Sequence, residues 1–174
     1  MDPLSVFAGA GITQGVRFLY EQAGEFLSAW RARRRDKDAG PARVLAIPAG
    51  VTVTGPQPVA DPPGEDAFRV LEQLRDLVEP IQSGEIDIRS PAALAAIGQL
   101  RDVVEAALQA PVWFDGEPPR PLMVCDIRVA TERVAKFLGK AGLAPMPEWN
   151  EQPVQSAPKK KAQERAKAAA TTPA

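Results

Sequence analysis

There is no histidine in this 174-residue chain. That absence removes the serine and cysteine triads that use an imidazole base, histidine metal sites, and the commonest acid–base group near neutral pH. Cys125 is the only cysteine, which leaves no intramolecular disulfide and too few thiolates for a zinc site, so the reducing cytoplasm is the expected compartment. Aromatic residues are 6% of the chain against 45% hydrophobic residues in all, which predicts a modest aliphatic core. The uncharged stretch Pro3 to Val16 is shorter than the roughly 20 apolar residues of a spanning helix, and Met1-Asp2-Pro3 offers no basic start to a secretory signal. No glycine-lysine-serine/threonine phosphate loop occurs either.

What is present is helical periodicity. Ile12, Val16, Leu19, Ala23, Phe26 and Trp30 recur at spacings of four and three, one stripe of a helix that Tyr20 and Leu27 widen. The helix is expected from Leu4 to Arg35. Gly9, Gly11 and Gly15 weaken its first turns, and a frayed N-terminal segment is favoured there over a close backbone approach. Arg31, Arg33, Arg34, Arg35 and Lys37 complement the dipole at its far end, and Gly40-Pro41 stops it.

Between residues 41 and 64 the period changes. Val44 to Ile47 and Val51 to Thr54 flank Pro48-Ala49-Gly50 and read as a short β-hairpin or an extended excursion, followed by proline-rich linker. A second helix follows from about Glu65 to Glu79, with Pro80 kinking or ending it. Ser90-Pro91 starts a third that runs to about Gln109 on Ala93, Ile97, Leu100, Val104 and Leu108. Six of seven positions of Gln73-Leu74-Arg75-Asp76-Leu77-Val78-Glu79 recur at Gln99 to Glu105, and the two helices should pair as a hairpin. A turn at Asp115-Gly116 precedes a fourth helix, from Met123 or Asp126 to Lys140, with Leu122 to Cys125 as a competing strand. From 143 to 174 periodicity is lost, and Lys159-Lys160-Lys161 before an alanine-rich stretch reads as a disordered basic tail.

The expected fold is therefore all-α: an amphipathic helix over 1–40, a linker with a possible hairpin over 41–64, a helical hairpin plus fourth helix over 65–142, and a disordered tail. The net charge of −1 hides a division. Residues 1–43 carry seven basic and five acidic groups, 61–126 five and thirteen, and 127–174 nine and four. An acidic middle between basic ends suggests attraction within or between chains before it suggests nucleic acid.

No catalytic, cofactor or metal residue is assigned. Asp76, Glu79, Asp102 and Glu105 could converge on a hard cation, but they lack the glutamate-x-x-histidine pattern of di-metal bundles and read as solvated faces beside arginines. Gly9, Gly11 and Gly15 lack the βαβ context of a dinucleotide-binding turn. The Pro118 to Pro121 element could dock in a groove that reads polyproline II and is otherwise plain loop. The function expected is a non-enzymatic helical adaptor in the cytoplasm. It would bind a protein partner, or itself, through Val16, Leu19, Ala23, Phe26 and Trp30 with Arg31 and Arg34. The alternative is a peripheral membrane protein using Phe7, Phe18 and Trp30 beside the basic cluster. A small carboxylate-based or nucleotide-binding enzyme comes third, and nucleic acid is disfavoured for want of stacked aromatics and net positive charge.

Overall fold

A computed structural model of the chain describes residues 10–121 and 124–142. The expected tail, the segment before Ala10 with Phe7, and Met123 lie outside those residues. The fold is all-α with one small sheet. Four helices, α1 (Ala10–Arg35), α2 (Glu65–Gln82), α3 (Pro91–Leu108) and α4 (Ile127–Lys140), accompany two three-residue strands, β1 (Val51–Val53) and β2 (Val112–Phe114). The central pair is α2 and α3, and each packs against both α1 and α4. One core runs through all four helices, from Leu19, Phe26 and Trp30 of α1 through Leu71, Leu74 and Leu100 to Val134 and Leu138 of α4.

The stripe of α1 is closed inside this core. Val16, Leu19, Ala23, Phe26 and Trp30 are all buried. Phe26 stacks on Trp30 at 5.4 Å between ring centroids, and Trp30 meets Phe68 edge-on at 5.9 Å. Phe18 lies off that stripe by its spacing, yet it is only 3% exposed. The apolar arc of α1 is wider than its narrow stripe because the helix is covered on two sides, by α2 and α3 and by the strands.

Of the two forms expected for residues 44–54, a hairpin or an extended excursion, the structure has the extended one, and 44–47 does not pair with 51–54. Val51 pairs instead with Phe114, Thr52 with Trp113 and Val53 with Val112, antiparallel, across some sixty residues of chain. The backbone of residues 43–45 is occupied elsewhere. Gln22, fully buried in α1, donates its amide to the Arg43 carbonyl at 2.8 Å and accepts the Leu45 N–H at 2.9 Å, so this stretch has a helix side chain where a partner strand was expected. The proline-rich stretch also has a partner. The N–H groups of Gln57 and Val59 bond to the carbonyls of Leu108 and Ala107 at 2.7 and 2.8 Å, which satisfies two orphan acceptors at the C-terminus of α3.

The glycines of α1 lie inside the helix, and one of them seats the strands. A Cβ on Gly15 would fall 2.5 Å from Cε1 of Phe114, so only glycine lets β2 lie this close. Gly15→Ala should therefore cost about 1–3 kcal/mol, because the Phe114 ring must move off a packed site. Urea unfolding checks it: an unchanged or raised midpoint would mean the ring has free room.

Helix boundaries follow their caps. The Ser90 hydroxyl accepts the Ala93 N–H with Pro91 in the first turn, and the Asp126 carboxylate accepts the Arg128 N–H at 2.8 Å to start α4. Pro80 does not end α2, which continues to Gln82. It comes three residues before the cap, so the amide it lacks is needed by only one last-turn bond.

Candidate functional site

The densest chemistry lies where α3 meets β2. Arg101 is 4% exposed and reaches across to the strand. Its Nε donates to the Val112 carbonyl at 3.0 Å, its Nη2 reaches the same oxygen, and its two terminal nitrogens form a forked ion pair with Glu117. The guanidinium lies over the Phe114 ring at 4.5 Å. Glu105, one turn on, is also buried. Its Oε1 accepts the Val112 N–H at 2.8 Å and pairs with Arg120, while Arg101 stands 3.4 Å away. Arg120 completes the group by donating to the Val112 carbonyl at 3.1 Å, and its guanidinium lies 5.0 Å from the Trp113 ring centroid. Glu117 also accepts the Phe114 N–H at 3.2 Å.

Two arginines and two glutamates thus neutralise one another around the backbone of β2. Expecting Glu105 to be a solvated face was wrong. Helix α3 is buried on nearly every side from Val103 to Leu108, so a charge there has to be paired internally. The Pro118 to Pro121 loop supplies part of that pairing through Arg120. Glu79 and Asp76, the corresponding acids of the other copy, are exposed.

The near repeat has a physical meaning at its arginines. Arg75 donates from Nε to the Tyr20 carbonyl at 3.3 Å and lies over the Tyr20 ring at 4.3 Å. Gly24 opens the space for it, since a Cβ there would stand 3.0 Å from Nη2 of Arg75. Arg101 makes the same pair of contacts with Val112 and Phe114. Each copy therefore uses its arginine to fasten a neighbouring element by one carbonyl and one ring, α1 in the first case and β2 in the second.

Asp102 sits beside the cluster, half-buried. Burial raises its pKa above the ordinary 3.8, the Glu105 charge raises it further, and Arg133, Arg120 and Arg101 oppose both. A carboxyl with a raised folded pKa contributes stability that is fully present below its unfolded pKa and is lost as pH rises through the folded one. Asp102→Asn should therefore be more stable than the parent at pH 7, and the difference should vanish below about pH 4. Urea midpoints at the two pH values check this. A variant less stable than the parent at pH 7 contradicts it.

A second feature is a shallow cleft of about 150 Å³ between the start of α2 and the outer edge of α4. Pro63, Ala67 and Val70 form one wall, and Arg128, Thr131, Glu132 and Ala135 the other. Thr131 spends its hydroxyl on the carbonyls of Ile127 and Arg128. Among the described residues no group of three or more histidine, cysteine, aspartate or glutamate side chains could hold a metal ion.

Comparison with known proteins is sparse. No family model matches the chain, and no solved structure matches it. A 37-residue stretch, 21% of the chain, is 84% identical to the small ribosomal subunit protein bS16 of Acidiphilium cryptum. That stretch covers 32% of the ribosomal protein, so the chain spans about a third of the length of this curated relative.

Of the seven residues expected to meet a partner, the five apolar ones lie in the chain's own core. Arg31 and Arg34 remain at the surface. Arg31 pairs with Glu72, and Arg34 lies over the Phe68 ring at 4.5 Å, so both also tie α1 to α2. Arg33 likewise turns inward to bond the Ala39 carbonyl at 2.8 Å. Among the described residues no helix is long and apolar enough to cross a membrane.

Proposed function

We propose that the chain is a non-enzymatic interaction protein that works as one folded helical unit and meets its partner with the outer faces of its helices. The observation that supports this reading is how the buried charge is used. Arg101, Glu105, Glu117 and Arg120 are all directed at one another and at the backbone of β2, so the chemistry inside the protein holds elements together. The stripe of α1 is spent in the same way, which leaves partner contact to the outside of the bundle. A peripheral membrane role through Phe18 and Trp30 would first require α1 to leave the core.

The test is partner capture by the immobilised full chain and by surface variants of α2 and α4, Asp76→Lys and Lys136→Glu, with Ile86→Ser as a neutral control. A partner held at fixed stoichiometry by the parent and the control, and lost with one face variant, supports the reading. Equal recovery by all four proteins, together with a turnover abolished by Asp102→Asn, overturns it. A second reading, association with the small ribosomal subunit, rests on the 84% identity of the 37-residue stretch to bS16. Co-sedimentation of the chain with that subunit tests it, and a chain that stays in the supernatant at low salt rejects it.

A further inference from the structure

Helix α4 has an exposed outer face. Its buried side is Ile127, Ala130, Thr131, Val134 and Leu138. Opposite, Val129, Arg133, Lys136 and Lys140 recur at spacings of four, three and four on one exposed stripe, with Arg128 at its edge and Glu132 as the one acid. None of these four cations makes an ion pair among the described residues. Several of the arginines elsewhere are engaged, Arg31 with Glu72, Arg75 with Tyr20, Arg101 with Glu117 and Arg120 with Glu105. From Arg133 to Lys140 the run covers about 10 Å of helix at 1.5 Å per residue.

Three kinds of surface could neutralise such a stripe. The first is a second copy of the chain, which could offer the exposed acids of α2, Glu65, Asp76 and Glu79. Solvent-exposed ion pairs contribute too little to offset the cost of association, and no apolar centre accompanies them on either face. An anionic membrane is the second, but the α4 face carries one exposed apolar side chain, Val129, so there is almost nothing to insert. The third is a polyanion. Its binding is driven by release of condensed counterions and needs no apolar area, only cations spaced along a line.

Resting on the reading of the chain as an interaction protein, we propose that the outer face of α4 grips the phosphodiester backbone of a nucleic acid strand through Arg133, Lys136 and Lys140. The face has no aromatic side chain to stack on a base, so binding is independent of sequence. The acids of α2 repel the strand and confine it to the α4 side.

The test uses the full chain with fluorescent single strands of oligo(U) RNA and oligo(dT) DNA, read by anisotropy between about 50 and 200 mM salt. Arg133→Gln/Lys136→Gln/Lys140→Gln should bind at least about tenfold more weakly at the low-salt end. It should also reduce the slope of log affinity against log salt by about 2, at roughly 0.7 per contact for single strands. Its thermal midpoint should stay close to that of the parent, since all three side chains are at the surface and only Arg133 loses a charge interaction, with Asp102. The control Arg35→Gln/Lys37→Gln, at the exposed end of α1, should stay within about twofold of the parent by the same electrostatic argument.

Equal affinity for RNA and DNA fits contact with the backbone alone, and a preference for RNA beyond tenfold adds the 2′-hydroxyl to the contact. The proposal is overturned if the triple variant binds like the parent, if the control loses as much as the triple variant, or if the chain binds phosphatidylserine vesicles and neither strand. Should strand binding fail while partner capture still depends on one helix face, the interaction reading stands and only this surface assignment falls.

Discussion

Arg101→Ala and Glu117→Ala should each destabilise the protein by about 3–5 kcal/mol, because each leaves the buried cluster of two arginines and two glutamates with one uncompensated charge and uncovers the backbone of β2. The side chains of Arg101 and Glu117 are 5% and 2% exposed, and neither charge can be reached by water without opening the joint between α3 and the strand. The corresponding change in the other copy, Arg75→Ala, should cost only about 1 kcal/mol. Arg75 is half-buried and loses one carbonyl bond and one ring contact without orphaning an acid. Urea unfolding of the three variants checks the ranking. Equal losses at the two arginines would mean that the cluster around Val112 is hydrated and that its charges are as replaceable as those on the rim.

Phe26→Ala and Trp30→Ala should each cost about 3–5 kcal/mol, and Phe18→Ala should fall in the same range. All three side chains are nearly inaccessible to solvent. Trp30 also donates its indole N–H to the Val59 carbonyl at 3.4 Å, so its loss additionally loosens the connection that closes the end of α3. The prediction for Phe18 separates the folded unit from a helix that packs by a narrow stripe, for which Phe18→Ala would be mild. Thermal unfolding of the three variants decides between them.

The helices were legible in the sequence because they carry local evidence, such as the four-three stripe in α1 and Ser90-Pro91 before α3. What could not be read were the pairings between distant segments. Val51 to Val53 looks for a partner nearby, yet its partner is Val112 to Phe114, and nothing local in Trp113-Phe114 distinguishes a strand from a break. Gln22 falls on the helix face that buries Leu19 and Phe26, and a glutamine among leucines was a signal that some backbone must come to meet it. The cluster at Arg101 and Glu105 had a signal of the same kind. Val103, Val104, Ala106, Ala107 and Leu108 surround Glu105 on every side of its helix, which leaves no solvated face for a carboxylate. Glu117 and Arg120, in contrast, sit among prolines and glycine, where loop and ionic partner look alike.

The most direct measurement is native-state hydrogen exchange on the isolated full chain at low micromolar concentration. If α1 is an integral part of one core, the amides from Leu19 to Trp30 are protected to the same extent as those of α3 from Leu100 to Leu108, and the protection does not change on dilution. Near-unprotected α1 amides beside a protected α3, or protection of α1 that disappears on dilution, would contradict that core and return the stripe of α1 to a surface made for another molecule.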